Sequence, residues 1–500
     1  MAAQLLYAAR AFLEVRLTMR HITTAASFLG LAAIGLLTGC PDRSISEVNP
    51  QQGRVEYKDI PVTVNRNVDI LFVIDDSPSM ADKQNNLGTN FPNFINVLNT
   101  IQGGLPDVHI GVVTTDMGTK ATQDSAPGPA IGQIGNGGCS GTGDGGNLQT
   151  FGAMVTGTFI SDIKQTNGTR TINYPMGQLP QTFAAMARGA GAGGCGFEQP
   201  LEAMRRALNN NPQNAGFLRP DAYLAVIFIA DEDDCSIGKA SMLGPESAAL
   251  GPLQSFRCNR FGHICDIGGT SPDQMNQVGT KSQCHPNENS PYLEKVSVYV
   301  DFLKKLKTDP TKIIVAGIMG VTEPYQVELR APPGGGAAQQ AVAHSCSYTG
   351  AMGLEVADPP TRLKFLLDQF PNRSTFTTIC QQNLSDGLVL IAQLLKSVIG
   401  DPCIGGKLAD VDPNTAGPQY DCSVSDVSNI GKPTQTEDVI PACDTNATVK
   451  PCWRITKDTM NCPATNPDGT PNDQFVLKIE RAETPPPETH VIAYCVTDAV

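Results

Sequence analysis

Three side chains that carry oxygen, Asp75, Ser77 and Ser79, occupy alternate positions directly after a short apolar run. The run, residues 70–74, is rich in branched residues and short enough to be a buried parallel strand. Ligands of open α/β sheets bind beyond the carboxyl ends of such strands. Hard divalent cations take about six oxygen ligands, commonly a few side chains plus waters. The spacing therefore predicts part of a Mg²⁺ site, and Mn²⁺ or Ca²⁺ would use the same oxygens.

A second apolar run, residues 223–230, is also followed directly by acidic residues. They are Asp231, Glu232, Asp233 and Asp234. Two predicted strands thus end in carboxylates. A run of charges usually faces solvent, and this is the interpretation for Glu232 and Asp233.

The pattern Asp75-x-Ser77-x-Ser79 after an apolar strand resembles the metal-ion-dependent adhesion site of von Willebrand factor type A domains, a module also found as the integrin I domain. The resemblance covers about residues 67–400. It implies that Asp231, the first residue past its strand, is a further metal ligand. In the family, a carboxylate of a partner protein fills the open coordination position. The resemblance therefore implies metal-dependent adhesion or protein binding.

The chain departs from this family at one ligand. The family has a threonine at the start of a helix, and the aligned residue here is Cys195, which is a poor ligand for a hard cation. Three alternatives stay open: Glu198 reaches the ion, water fills the position, or the site is weakened. Glu198 is equally explained as a solvated acid in the first turn of a helix, where the helix dipole favours it. The second functional hypothesis is therefore a structural envelope lipoprotein that binds no metal and is stabilised by disulfides.

Motifs of catalysis are absent from the sequence. It contains no nucleophile elbow, no H-E-x-x-H and no Walker loop, and none of its six histidines is beside the Asp75 motif. A phosphatase with an aspartyl nucleophile needs a second aspartate at the position of Ser77. The net charge of −13 provides no basic surface for nucleic acid. A protein that is not an enzyme is predicted.

Residues 1–39 are predicted to be a secretory signal of the lipoprotein type. Their apolar stretch, residues 25–37, is shorter than the roughly 20 residues of a membrane-spanning helix. It leads into Leu37-Thr38-Gly39-Cys40, which resembles the bacterial lipobox, so Cys40 is the predicted site of lipidation. The alternative is an ordinary exported protein, and either Met1 or Met19 is the true start. A lipid anchor would hold the chain at the bacterial cell envelope, on the outer membrane or cell surface.

Cysteine usage favours an extracytoplasmic protein. Of 15 cysteines, 14 remain after Cys40, and disulfides are the default for an even number in an exported chain. The cysteines and histidines of segment 235–290 could instead bind zinc, but their spacing fits no familiar zinc finger. Disulfides would also stabilise a chain whose 49 glycines and 37 prolines indicate long loops.

Strand and helix patterns alternate between residues 67 and 400. This alternation predicts an α/β fold with a doubly wound, mostly parallel sheet. Two long insertions that contain cysteines are expected near 118–194 and 235–290. The first is rich in glycine and is interpreted as an elaborated loop.

The segments on either side of this predicted domain differ from it in amino-acid composition. Residues 40–66 are polar, lack an apolar period and are interpreted as a tether to the membrane. Residues 401–500 carry six cysteines among Pro, Asn, Asp and Thr. They are predicted to form a small disulfide-rich β unit with strands at 475–479 and 491–496.

Overall fold

The structure is a computed structural model that describes residues 53–498, with gaps at 62–64, 102–103, 333–334, 401–402, 411, 413, 415–418, 431, 445–446, 460–461, 463, 466–470, 484 and 487–488. The predicted signal segment 1–39 and the predicted lipidation site Cys40 lie outside these residues. In the part of the chain that is described, no helix combines the length and the apolar character needed to cross a bilayer.

The described chain contains many short strands and fewer helices. The strands are β1 (Gly53–Pro61), β2 (Asn67–Ile74), β3 (Asp107–Thr114), β4 (Ile160–Lys164), β5 (Arg170–Ile172), β6 (Tyr223–Ile229), β7 (His263–Ile267), β8 (Gly279–Pro286), β9 (Ile313–Met319), β10 (Tyr325–Arg330), β11 (Gln339–Val342), β12 (Cys346–Gly350), β13 (Gly353–Ala357), β14 (Ser374–Thr378), β15 (Cys422–Ser428), β16 (Thr436–Val439), β17 (Cys452–Lys457), β18 (Phe475–Glu480) and β19 (Thr489–Asp498). The α-helices are α1 (Ala81–Asn99), α2 (Leu179–Gly189), α3 (Pro200–Leu208), α4 (Phe256–Gly262), α5 (Pro272–Met275), α6 (Val296–Leu306), α7 (Thr361–Asp368) and α8 (Ser385–Gly400).

The largest sheet has seven strands in the order β14-β9-β6-β2-β3-β4-β5. The five strands from β14 to β3 pair in parallel, and β4 and β5 extend the sheet in antiparallel. Every residue of β6 and all but the first of β2 are buried. A parallel strand covered on both faces needs apolar side chains at nearly every position, which explains the continuous apolar runs. The predicted α/β fold with a largely parallel sheet is confirmed.

Alternate side chains of the central strands pack into two separate cores. Ile70, Phe72 and Ile74 pack with helices α1, α2 and α8, whereas Leu71 and Val73 pack with α3, α6 and α7. The first core contains a group of four phenylalanine rings, which belong to Phe72, Phe91, Phe94 and Phe183. Both faces of the central strands are therefore covered by helices.

The segment predicted as an elaborated loop, 118–194, contains regular structure. Strands β4 and β5 lie at the edge of the large sheet, and helix α2 packs against α1. Phe183, Met186 and Ala187 of α2 are buried at helical spacing, so this part carried an apolar period that the surrounding glycines obscured. The loop interpretation was wrong for these elements.

Residues 53–61, interpreted as part of the tether, form strand β1. This strand pairs antiparallel with β19 over its whole length, from Gly53 opposite Asp498 to Pro61 opposite His490. It therefore belongs to a four-stranded sheet with the order β1-β19-β15-β16. The sequence concealed it because a buried acid, Asp59, interrupts the apolar alternation by which strands are recognised. The carboxyl-terminal region contains strands β15 to β19, and its four-stranded sheet includes this segment from before residue 67.

All cysteines of the described chain are in disulfides, as predicted for an exported protein. The pairs are Cys139–Cys195, Cys235–Cys258, Cys265–Cys284, Cys346–Cys380, Cys403–Cys462, Cys422–Cys495 and Cys443–Cys452. The zinc alternative for segment 235–290 does not hold, because its cysteines are paired. His263 instead lies 2.8 Å from Asp233 Oδ2 and 2.8 Å from the hydroxyl of Tyr325.

A buried histidine joins β19 to the large α/β domain. His490 Nδ1 lies 2.6 Å from Asp59 Oδ1, and its Nε2 lies 3.5 Å from Asp309 Oδ2. Burial lowers the pKa of His490, but the hydrogen bonds to the two carboxylates outweigh it and raise the pKa to about 9. The imidazolium is therefore the stable form in the folded protein at neutral pH.

We expect His490 to make stability depend on pH. Because its folded pKa lies above its usual value of 6.5, its contribution is complete below about pH 6.5 and is lost as the pH rises through 9. The loss of unfolding free energy is roughly 3 kcal/mol, because each unit of pKa difference between the folded and unfolded states corresponds to about 1.36 kcal/mol. Urea denaturation between pH 6 and 10 measures it. In His490→Gln, the slope should be smaller by this amount, and an equal slope in the two proteins would contradict the assignment.

Candidate functional site

Two neighbouring strands bring their acidic ends to the same edge of the large sheet. Strands β2 and β6 pair in parallel with Ile74 opposite Ile229, and the Asp75 backbone N–H donates to the Ile229 carbonyl at 2.9 Å. Asp75 and Asp231 both follow these last paired residues within two positions. The parallel register is therefore what places the two carboxylates at the same edge.

The turn after β2 arranges the predicted oxygen ligands. Asp75 Oδ1 accepts a hydrogen bond from the Ser77 backbone N–H at 2.8 Å, which is the turn that an aspartate makes with the residue two positions on. The hydroxyl oxygens of Ser77 and Ser79 lie 3.1 Å apart. Asp75 and Ser77 are buried and Ser79 is exposed, so the group is open to solvent on one side.

Two carboxylate oxygens in this group lack a hydrogen-bond partner although they are buried. They are Asp75 Oδ2 and Asp231 Oδ1. A buried acceptor without a partner carries a desolvation cost of about 1–3 kcal/mol, and more if it is charged. Burial and the Asp231 carboxylate raise the pKa of Asp75 well above its usual value. Cations stabilise such paired acids, so the donor set of two carboxylates and two hydroxyls fits a hard divalent ion.

Carboxylates alone do not make this a metal site. Among the described residues, no three His, Cys, Asp or Glu side chains are grouped so that they could hold a metal ion. The two serine hydroxyls are therefore essential to the proposed donor set. Magnesium commonly keeps several waters and uses one or two carboxylates, which is consistent with a set of this composition.

Glu198, one of the alternatives for the missing ligand, is buried near the acids of the site. Its side chain is buried, and burial together with the charges of Glu232, Asp75 and Asp231 raises its pKa well above the usual value. A solvated acid in the first turn of a helix would not feel these charges, and helix α3 begins only at Pro200. The interpretation of Glu198 as a solvated acid was wrong.

Cys195, which aligns with the threonine of the family, is bonded to Cys139 and supplies no thiolate. The two glycines before it bring its loop close to β2. The Gly194 backbone N–H donates to the Asp76 carbonyl at 2.8 Å, and a Cβ at position 194 would overlap the Asp76 carboxylate. Glycine is therefore required at this point, and the disulfide fixes the loop that carries Glu198.

Sequence reasoning also placed Asp233 in solvent, and the structure buries it. Asp233 Oδ2 accepts from the Arg362 backbone N–H at 2.7 Å, and Oδ1 accepts from that of Leu363 at 3.1 Å. It thereby caps the amino terminus of α7 from another part of the chain. Glu232 is partly buried, and burial followed by the charges of Asp358 and Asp231 raises its pKa.

A functional residue that sequence reasoning missed is Lys83, in the first turn of α1. Its ammonium lies 3.0 Å from Asp231 Oδ2, and its side chain is only 1% exposed. No sequence motif reveals the role of a lysine eight positions after Asp75, because the acids that it contacts are distant in the sequence. The site therefore contains a cation of its own beside the acids.

No protein family profile matches this chain, and no curated protein matches it. Solved structures resemble it at low identity. A von Willebrand factor type A protein from Catenulispora acidiphila is 11% identical, covers 91% of this chain and 67% of its own, and has a TM-score of 0.25. The pilus adhesin SpaC from Lactobacillus rhamnosus GG is 10% identical, with 90% and 42% covered and a TM-score of 0.29.

A further pilus adhesin, RrgA from Streptococcus pneumoniae, is 10% identical, covers 89% of this chain and 58% of its own, and has a TM-score of 0.21. The chain thus spans about half the length of the two adhesins that it matches. At these scores the likeness assigns no family, and the site is interpreted from its own geometry.

Proposed function

We propose that the protein is a membrane-anchored, cell-envelope adhesion or protein-binding module with a site of the von Willebrand type A kind. In this proposal, Asp75, Ser77, Ser79 and Asp231 hold a divalent cation, with Mg²⁺ as the first choice and Mn²⁺ or Ca²⁺ as alternatives. Glu198 is the further ligand expected from the sequence, and its side chain would have to move to reach the ion, because no three carboxylates of the described residues are grouped to hold a metal. A carboxylate of a partner protein would complete the coordination.

The observation that carries this proposal is the pair of buried oxygens without partners, Asp75 Oδ2 and Asp231 Oδ1. Asp75 and Asp231 follow the ends of two adjacent parallel strands, and the Ser77 and Ser79 hydroxyls are close to Asp75 in the chain. Proteins rarely leave buried polar atoms unpaired, and an ion is one of the standard explanations. The four oxygen-bearing side chains of the sequence pattern thus include two buried carboxylate oxygens that a bound cation would stabilise.

Each side chain has a distinct task in this proposal. The Ser77 backbone N–H holds Asp75 Oδ1, so Asp75 presents its other oxygen. Ser79 is exposed and leaves one side of the group open to a partner. When bound, a hard cation supplies a Lewis-acidic position that a carboxylate oxygen can occupy. Since the site lacks a general base beside a nucleophile, we propose binding and not catalysis.

The location follows from the disulfides and the predicted signal. Seven disulfides in the described chain indicate an oxidising compartment. We propose export through the segment 1–39 and lipidation at Cys40, which would tether the protein to the envelope by its acyl chains.

The second candidate function is a structural envelope lipoprotein that binds no metal. The observation that favours it is Lys83, which already provides Asp231 with a positive partner at 3.0 Å. In that case the disulfides and the β sheets would be the functional features. Metal titration separates the two candidates.

The direct test is calorimetric titration of the purified protein with Mg²⁺, Mn²⁺ and Ca²⁺. We expect saturable binding of one ion, and Asp75→Ala should weaken it by at least about 100-fold, since a direct ligand contributes more than the 10–100-fold typical of outer-shell partners. The matched control is Asp301→Ala, an exposed acid on α6. It should bind as the wild type does. Absence of binding by the wild type, or full binding by Asp75→Ala, would reject the proposal.

A further inference from the structure

Lys83 has a complete set of partners at the edge of the proposed metal site. Its Nζ lies 3.0 Å from Asp231 Oδ2, 2.8 Å from Glu355 Oε2 and 3.1 Å from the Ser79 carbonyl oxygen. An ammonium has three N–H donors, so these three acceptors satisfy all of them. The ammonium is therefore held at one position.

Burial would make the charged Lys83 ammonium energetically unfavourable if its acceptors were absent. Removing an ammonium from water costs several kcal/mol unless close opposite charges compensate for it. The carboxylates of Asp231 and Glu355 supply these opposite charges at 3.0 and 2.8 Å from Lys83 Nζ, and the ammonium uses one of the two oxygens of Asp231.

Glu355 comes from the hairpin of β12 and β13, far along the chain. The Cys346–Cys380 disulfide links this hairpin to the loop after β14, and the Tyr348 hydroxyl donates to Asp82 Oδ2 at 3.1 Å. The backbone of the hairpin also lies against α1, because a Cβ at Gly350 would overlap Asp82. Glu355 is therefore a fixed carboxylate, and it shares the Lys83 ammonium with Asp231.

We propose that Lys83 sets how tightly the site binds a divalent cation. This inference rests on the proposed function. The Lys83 ammonium and a divalent cation would compete for the negative charge of Asp231. Lys83 contacts Oδ2, and Oδ1 has no partner and is left for the ion. The fixed positive charge also repels an ion bound beside it. Lys83 thus weakens metal binding, and Glu355 limits this weakening by sharing the ammonium.

The test is calorimetric titration of the full chain with Mn²⁺ in two variants that should change the affinity in opposite directions. Lys83→Met should bind Mn²⁺ at least tenfold more tightly than the wild type. Glu355→Gln should bind it about threefold to tenfold more weakly, because the ammonium then serves Asp231 alone and one negative charge is lost. The matched control is Lys281→Met, a buried lysine that donates to the Gln277 carbonyl at 2.9 Å. Its affinity should stay within twofold.

Thermal unfolding in chelator and in Mn²⁺ gives a second readout that does not depend on calorimetry. Without its ammonium, Lys83→Met leaves Asp231 and Glu355 uncompensated, so its melting temperature should fall in chelator. Added Mn²⁺ should restore more of the melting temperature than it adds to the wild type. If Lys83→Met is unfolded in chelator and folds with Mn²⁺, this also supports the inference.

The outcomes distinguish the inference from the proposed function. Mn²⁺ binding by the wild type that is tighter in Lys83→Met and weaker in Glu355→Gln would support both. Equal affinities of the wild type and Lys83→Met, or unchanged affinity in Glu355→Gln, would overturn the inference and leave the metal site in place. No binding by any of the four proteins would overturn both.

Discussion

Replacement of Arg362 by methionine is expected to lower the free energy of unfolding by about 3–5 kcal/mol, the usual cost of removing one partner of a buried ion pair. Arg362 and Asp234 are both 0% exposed, and Arg362 Nε lies 3.0 Å from Asp234 Oδ2. Arg362 Nη2 also donates to the Glu294 carbonyl at 2.7 Å. Methionine fills part of the volume but leaves the Asp234 carboxylate buried without its counter-charge. Urea denaturation at neutral pH measures the loss.

A matched control for Arg362 is available on the same helix. Lys364 lies 2.5 Å from Asp368 one turn along α7, and both side chains are largely or partly exposed. Exposed pairs at this spacing contribute about 0.3–0.5 kcal/mol, so Lys364→Met should be nearly neutral. Equal losses in the two variants would show that the energy of the Arg362 pair does not come from its burial.

Truncation of Phe72 to alanine is expected to cost about 3–5 kcal/mol through lost burial and the cavity that remains. The Phe72 ring is fully buried in the centre of the large sheet. Its centroid lies 4.6 Å from that of Phe183 and 6.0 Å from that of Phe91, so three elements lose contacts together. Denaturation by urea or guanidinium measures the change.

Phe72→Leu is the companion variant, since leucine keeps most of the apolar volume. It should lose clearly less stability than Phe72→Ala. The metal affinity of both variants should match that of the wild type, because Phe72 faces the core and not the edge of the sheet. A Phe72→Ala protein with wild-type stability would mean that the four-ring cluster is loosely packed.

The central part of the fold was predictable because its signal is local. The runs ending at Ile74 and Ile229 are continuous and apolar, as parallel strands buried on both faces must be. The acids that follow them were equally visible in the sequence. That Asp75 and Asp231 lie at one edge depends only on parallel pairing, which the alternation with helices predicts.

Other elements could not be predicted because their stability depends on distant partners. Strand β1 is fixed by β19, more than 400 positions away, and its buried Asp59 is compensated by His490 and Arg373. A single sequence shows a polar segment there and no partner. Helix α2 was missed for another reason, since surrounding glycines obscured its short apolar period.

In the candidate site, too, the local features were predictable from the sequence and the contacts between distant residues were not. Asp75, Ser77 and Ser79 form one local motif, which is recognisable as a unit in the sequence. The ion pair of Lys83 with Glu355 joins residues 272 positions apart, and neither residue belongs to a recognisable pattern. The bond between Cys139 and Cys195 was also hidden, because cysteine counts predict that disulfides form but not which residues pair.

The pairing of β1 with β19 determines how the protein can be shortened for expression. A version cut at residue 400 would keep the large sheet but leave β1 with a row of unpaired backbone groups. A version that begins at residue 67 would expose the edge of β19 instead. Free strand edges recruit other chains, so both trimmed versions should form insoluble oligomers more readily than the span 53–498. Display of the large α/β domain on a heterologous surface therefore requires both flanks.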